Sequence, residues 1–263
     1  MQSKLNTFNI STTVAIIAAA SGVTVAKHGN RAITSQSGSA DVLEALGIPV
    51  DLSPEQAALA LKEQQFAFYF APKYHPAFKN IGPARKLCAE RGSRTIFNYL
   101  GPLLNPARPT MQLIGVPRPD LCEPIAKVLQ SLGLRRAMVV CGRVPSDDGM
   151  RHLDEFSTLG ENAVAEFYQD RGFSVSNLGP DNFPIQPATH ADLAGGTRAR
   201  NAEILRNILR GEDRGPKRDA VLLNAAAALF VAQKARSLTE GWELAGEIID
   251  SGKALAKLAK LAR

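Results

Sequence analysis

Four groups of residues in this chain are of types and spacings that could do chemistry. The first is Thr7-Phe8-Asn9-Ile10-Ser11-Thr12, small hydroxyl and amide side chains at what reads as a helix start. Exposed backbone N–H groups and the helix dipole favour an anion there, and plain N-capping is the competing reading. The second is Lys27-His28-Gly29-Asn30-Arg31, directly after the apolar stretch Val23 to Ala26. Two fixed cations and a glycine that lets the backbone come close suit a phosphate or a diphosphate. The segment runs on through Ser35 and Gln36 to Gly38 and Ser39, which open a second helix.

The third is Arg85, ten residues after His75. A guanidinium can hold a carboxylate through two parallel hydrogen bonds, although spacing alone favours a surface role. The fourth is His152-Leu153-Asp154-Glu155, followed by Ser157-Thr158. Adjacent carboxylates after a strand can hold Mg²⁺, a hard cation that prefers oxygen ligands and is commonly shared with substrate phosphates. No Ser-His-Asp set and no nucleophilic cysteine is needed for such chemistry, and the sequence shows none.

Elements of both kinds must position these residues. Ser11 or Thr12 caps an Ala/Ile helix that stops at Gly22, and Val23-Thr24-Val25-Ala26 reads as a short buried strand. Ser39 caps a second helix, Ala40 to Leu46; a third starts at Ser53 with Pro54 at its first position and Gln56 closing a capping box. Phe66 to Phe70, Gln112 to Val116 and Ala137 to Cys141 are apolar runs of strand length, with a helix from Asp120 to Leu132 between the last two. Arg198 to Arg210, the nearly all-apolar Val221 to Ala232, and a helix begun by the Ser237/Glu240 capping box make the last third helical. The alternation indicates an α/β fold with a largely buried central sheet. Gly82 to Pro109 is rich in glycine and proline around a basic stretch, Arg85 to Arg94, and reads as an excursion into a small helical lobe.

Bulk properties bound the function. The 263 residues are 45% hydrophobic and 21% charged, an ordinary globular balance. No segment reaches the roughly 18 apolar residues of a membrane-spanning helix. Thr13 to Ala26 fits a capped helix better than a secretory signal. The three cysteines, Cys88, Cys122 and Cys141, form no CxxC pair and read as free thiols of a reducing cytoplasm. The net charge of +6 suits an anionic small molecule; the basic residues are spread, without an aromatic-interleaved nucleic-acid patch.

The strings TFNIST, VAKHGNR and SGSADVLEALG resemble the phosphoribosyl-diphosphate half-site of the anthranilate phosphoribosyltransferases. HPAFKNIGPAR, RTIFNYLGPLLNPARP, LDEFSTLGEN, VLLNAAAALFVA and EIIDSGKALAKL resemble the same family in order, over about Thr7 to Leu258. KHGNR followed by SGSAD is shared with the related pyrimidine nucleoside phosphorylases, and TIFNYLGPLLNPARP favours the anthranilate branch.

The resemblance implies an α/β fold with a central, mostly parallel sheet flanked by helices, like the phosphoribosyltransferases and nucleoside phosphorylases. Residues 1–263 would be one catalytic-type domain, with 76–109 as the excursion into a remnant helical lobe. It implies transfer of the phosphoribosyl group from phosphoribosyl diphosphate to anthranilate, with Mg²⁺, in tryptophan biosynthesis. Thr7, Asn9, Ser11 and Thr12 would contact the diphosphate, Ser11 also reaching magnesium. Lys27 and the loop through His28, Gly29, Asn30 and Arg31 to Ser35, with Ser39, would hold the phosphoribosyl diphosphate. Asn30 and Arg85 would bind anthranilate, and Asp154 and Glu155 the metal. A cytoplasmic homodimer acting on small molecules, with neither nucleic acid nor membrane as partner, completes the expectation.

The chain departs from that pattern in three places. The family normally carries a small helical domain and a Gly-rich GTGGD loop before TFNIST, where Met1 to Asn6 stand here. Gln36 occupies a position where many members have lysine, and the stretch from Arg85 to Thr95 is slightly longer than usual. Two other readings therefore stand beside the first: a non-catalytic or split-enzyme remnant that binds a phosphorylated ligand or partner chain, and pyrimidine nucleoside phosphorylase-like activity.

Overall fold

A computed structural model describes residues 5–32, 36–93, 95–146, 149–168 and 172–262, apart from the side chains of residues 79, 85, 86, 89, 97 and 98. Helix α1 (Ile10–Ala20) is Ala- and Ile-rich on every side and is buried along nearly its whole length. It leads to strand β1 (Val25–Gly29), then α2 (Ser39–Ala45), α3 (Pro54–Gln64) and β2 (Phe66–Phe70). β1 and β2 run parallel, Val25 opposite Phe66 and Gly29 opposite Phe70, as the helical crossover between them requires.

Short helices follow: α4 (Ala71–Tyr74), α5 (Gly82–Glu90) and α6 (Phe97–Leu100), with 3-10 turns at Pro76–Lys79 and Gly101–Leu103. Strand β3 (Met111–Gly115), helix α7 (Cys122–Ser131) and strand β4 (Arg136–Ser146) form a second parallel unit. β4 then folds back on β5 (Gly149–Leu153) and pairs antiparallel with β6 (Asn162–Tyr168), which pairs with the edge strand β7 (Gly172–Leu178). Helices α8 (Arg198–Leu209), α9 (Pro216–Val231), α10 (Leu238–Asp250) and α11 (Lys253–Leu261) complete the chain.

The α/β class is as expected, but the sheets are mixed. β1–β2 and β3–β4 are parallel, whereas every pairing of β5, β6 and β7 is antiparallel. β5 and β7 escape the sequence pattern because they face solvent and carry few apolar residues. The buried β6 between them in the chain is not among the strands read from sequence either. Several boundaries move. The strand read at Val23 to Ala26 runs from Val25 to Gly29, because pairing with Phe66–Phe70 carries Lys27, His28 and Gly29 into it. Ser39 is not a cap: Gly38 stands there, and the Asp41 carboxylate accepts from the Gly38 and Ala32 N–H groups at 2.9 and 3.0 Å. Neither Ser11 nor Thr12 caps α1, since Asn9 is the residue at that position. The helix read from Val221 begins at Pro216.

The Ser53/Gln56 capping box forms as read. Of the second box only half forms: Ser237 accepts from Glu240 N–H, while the Glu240 carboxylate turns to Arg236. One core joins α1, α2, α8, α9, α10 and α11 to the inner faces of β2 and β4, with α9 buried almost throughout. A second cluster fills the space between α7 and the other face of β4 and β6. Among the described residues no helix is long and apolar enough to cross a membrane.

Candidate active site

The first turn of α1 meets two distant segments. Asn9 stands at the N-cap, yet its side chain makes no capping bond. The backbone N–H of Ser11 donates to Glu155 Oε1 at 3.1 Å, placing a carboxylate on the positive end of the helix. Lys27 Nζ donates to Ser11 Oγ at 3.2 Å. Helix α1, strand β1 and the turn after β5 therefore converge on one point. Thr12 is different: it is wholly buried, and its hydroxyl has no partner among the described residues. Helical periodicity turns its side chain inward while Ser11 faces out.

The turn carrying Asp154 and Glu155 begins where β5 ends, and it is held closely. A Cβ on Gly115 would lie 1.5 Å from the Asp154 carbonyl oxygen, and one on Gly142 would lie 2.6 Å from that of Glu155. Both strands must therefore present bare backbone to the turn. The buried amide of Asn224, on α9, accepts from Phe156 N–H and donates to Phe156 C=O, both at 2.9 Å. Asn162 accepts from Ser157 N–H at 2.6 Å and donates to Ser157 C=O at 3.1 Å. Two side chains thus replace the backbone ladder that an irregular, buried turn lacks.

Glu155 is half-buried, and its carboxyl is pushed up to about 8 by burial first and by the neighbouring Asp154 charge second. The Ser11 N–H and Lys27 pull the other way. Burial brings Lys27 down to about 8, against the pull of Glu155. Two adjacent carboxylates beside a hydroxyl make an oxygen-only donor set that disfavours its own negative charge. Among the described residues no three His, Cys, Asp or Glu side chains gather as a metal cage. A cation with few protein ligands, such as Mg²⁺ shared with phosphates, fits this set.

Lys27 and His28 are strand neighbours and so face opposite ways. While Lys27 reaches Ser11, the His28 Nδ1–H donates to the Gly101 carbonyl at 3.2 Å, and its ring lies edge-on to His75 at 5.1 Å. His75 in turn stacks on Phe78 at 5.5 Å. Burial, followed by the proximity of His75, lowers the His28 pKa, with the Gly101 bond opposing. The Nε2 atoms of both histidines are buried without a partner among the described residues. The KHGNR segment is therefore split between a charged face and an aromatic one.

The rest of that segment takes other roles. Arg31 pairs with Glu44 and Asp41 on α2 and lies over the Phe70 ring, and these carboxylates hold its guanidinium further above its ordinary range. Both pairs match the charge of the guanidinium and tie the loop to α2. Asn30 is exposed, with Oδ1 accepting from Arg31 N–H at 2.7 Å. Gly29 and Ser39 lie side by side, since a Cβ on Gly29 would be 3.4 Å from Ser39 Cβ. Thr7 forms an isolated antiparallel bridge with Ala194. Arg85 sits on α5, but its side chain lies outside the described residues, as does Ser35 entirely.

Sequence reading missed Asn162, Asn201 and Asn224, the buried asparagines around the site. A polar residue inside an otherwise apolar helix, as in Val221-Leu222-Leu223-Asn224-Ala225, was the available signal. It also missed the His28–His75 contact, which joins strands and loops far apart in the chain.

The family model described as "Glycosyl transferase family, a/b domain" matches residues 3–255. The anthranilate phosphoribosyltransferase of Lacticaseibacillus casei is 51% identical over 256 residues, 97% of this chain and 72% of the relative. The crystal structure of the Thermus thermophilus anthranilate phosphoribosyltransferase superposes with a TM-score of 0.86 at 42% identity, covering 98% of this chain and 73% of that one. The Saccharomyces cerevisiae enzyme, solved in complex with PRPP and Mg, gives a TM-score of 0.82 at 30% identity, covering 97% and 69%.

Proposed function

This chain belongs to the glycosyl transferase family, in its anthranilate phosphoribosyltransferase branch, and from that premise we infer what its site does. It transfers the phosphoribosyl group of phosphoribosyl diphosphate to anthranilate, giving N-(5-phosphoribosyl)anthranilate for tryptophan biosynthesis. The observation that carries this reading is the convergence of Ser11, Lys27 and Glu155 on the first turn of α1.

In our reading Asn9, Ser11 and Lys27 bind the diphosphate, with Thr7, Gly29 and Ser39 lining the same side. Asp154 and Glu155, with the Ser11 hydroxyl, would hold Mg²⁺, which supplies positive charge to the leaving diphosphate. Anthranilate would lie towards His28 and His75, its carboxylate met by Arg85 and its amine side by Asn30. We extend the proposal to 76–109 as a small helical lobe that carries Arg85 to the site, and to a cytoplasmic homodimer.

The reaction is a displacement at the anomeric carbon: the amine nitrogen forms the new bond as the bond to diphosphate oxygen breaks, and the proton that the amine then sheds passes to solvent. The aromatic amine is neutral, so no strong base is needed to make it nucleophilic. What the chain contributes is positioning and charge. Lys27 and the positive end of the α1 dipole face the group on which negative charge develops. The rigid mounting of the Asp154–Glu155 turn means that little reorganisation accompanies the reaction.

The test is direct. Purified chain with phosphoribosyl diphosphate, magnesium and anthranilate should consume anthranilate fluorescence, and Asp154→Asn should abolish it. Turnover that persists in the variant, or a folded chain that binds neither substrate in calorimetry, would refute this reading. Phosphorolysis of thymidine or uridine in its place would move the chain to the phosphorylase branch.

A further inference from the structure

Asn201 is the fourth residue of α8, and its side chain is 2% exposed. Asparagine is a mediocre helix former, and a buried amide is tolerated only when its bonds are made. Here they are: Asn201 Oδ1 accepts from Gly196 N–H at 2.8 Å, and Asn201 Nδ2 donates to Asn9 Oδ1 at 2.8 Å. The two groups stand 192 residues apart in sequence.

We propose that Asn201 is a positioning residue for the diphosphate, setting the flip of the Asn9 amide so that its Nδ2 donors face the substrate. The proposal rests on the reading of Asn9 as a diphosphate contact. An amide can turn over, exchanging donor for acceptor at little cost in shape. The Gly196 N–H can only donate, so it fixes oxygen on its side of Asn201 and nitrogen on the other. That nitrogen can only donate, so it fixes the Asn9 oxygen inward and the Asn9 nitrogen outward. An anion needs the donor.

Two further observations support the relay. An asparagine at an N-cap ordinarily turns its side-chain oxygen onto its own helix, and Asn9 does not. The segment that supplies Gly196 is also locked to the TFN segment, with Phe8 N–H donating to Leu193 O at 3.1 Å and Gly195 N–H to Asn6 O at 2.9 Å. A Cβ on Gly195 would stand 2.8 Å from Phe8 Cα and 2.9 Å from Asn201 Oδ1. Only glycine lets the loop come near enough to fix the amide.

Asn201→Asp keeps the shape and removes the donor, so the Asn9 amide should turn its nitrogen towards the new carboxylate and its oxygen towards the substrate. Steady-state rates with each substrate varied in turn should show the KM for phosphoribosyl diphosphate rising about tenfold or more, as for a lost hydrogen bond to a charged group. The KM for anthranilate should stay within about twofold, a change too small to count as one lost contact. Asn201→Ser, too short to reach Asn9, should show the same split if the aspartate variant does not fold. Asn9→Ala separates the two readings. If it raises the diphosphate KM while both Asn201 variants leave it unchanged, the relay is wrong and the reading of Asn9 stands. If Asn9→Ala changes nothing, the reading of Asn9 fails and the relay with it. Equal losses for both substrates would mark Asn201 as merely structural and overturn the proposal.

Discussion

The backbone N–H of Ser11 donates to Glu155 Oε1 at 3.1 Å, joining residues 144 apart in the chain. It fastens the start of α1 to the acidic turn after β5, and Lys27 closes the arrangement through the Ser11 hydroxyl. A carboxylate, a lysine and a helix N-terminus at one point make the site sensitive to pH.

Glu155 has its pKa raised from 4.5 to about 8, so the folded chain holds that proton more tightly than the unfolded one. Its contribution to metal-free stability is complete below pH 4.5 and is lost as pH rises to about 8. Lys27 is lowered from 10.5 to about 8, so its penalty is relieved as pH rises through that interval. The pair alone therefore gives a stability minimum near pH 8. Mg²⁺ needs the ionised carboxylate, so its affinity should climb by up to about tenfold per pH unit below 8 and then level off. Calorimetric titration of Mg²⁺ at pH 6, 7 and 8 measures this; a flat affinity would remove Glu155 from the metal site.

Gly115→Ala should abolish activity although no reacting group is touched. Its Cβ would fall 1.5 Å from the Asp154 carbonyl oxygen, and either the turn or the strand must shift. Gly82→Ala, where nothing lies within 4 Å, is the control. Comparing magnesium dependence of the two variants decides the matter. An alanine variant at 115 with unchanged magnesium dependence would show that the turn moves freely.

Asn224→Ala leaves the buried Phe156 N–H and C=O without their partners. Each loss costs about 1–3 kcal/mol, and a chain of this size loses about 2–4 °C of melting temperature per kcal/mol. Thermal denaturation with and without Mg²⁺ should show a drop of several degrees and a weaker stabilisation by the metal. An unchanged melting temperature would mean that water replaces the amide.

Lys27→Met and Arg31→Met should behave differently, although both remove a cation from the same motif. Lys27 faces Ser11 and the proposed diphosphate, so its loss should raise the KM for phosphoribosyl diphosphate by tenfold or more. Arg31 is engaged by Glu44 and Asp41 and is half exposed, and such pairs are worth about 0–1 kcal/mol. Its loss should lower stability slightly and leave that KM within a few fold. Equal effects on KM would return Arg31 to the phosphate site.

Much of the fold was legible because burial imposes periodicity. Phe66 to Phe70 and Ala137 to Cys141 read as strands since both faces of each are covered, and Pro54 with Ser53 and Gln56 marked a helix start by local capping alone. β5 and β7 were not legible, since exposed strands need no apolar pattern and their pairing is decided by β4 and β6. The strand through Lys27-His28-Gly29 was misplaced for the same reason: its end is set by the length of β2 beside it.

By itself the sequence determined which chemical groups are available: small hydroxyls and amides at a helix start, a lysine on a strand, two adjacent carboxylates, and the order in which they occur. Those properties are local, belonging to residue type and near neighbours. Which groups meet was decided only by tertiary structure. Ser11 with Glu155, His28 with His75, Asn9 with Asn201 and Asn224 with Phe156 are contacts between segments brought together by a shared core. Burial fixes where those segments lie, and short-range hydrogen bonding then selects the partners. Neither has a counterpart in the spacing of residues along the chain.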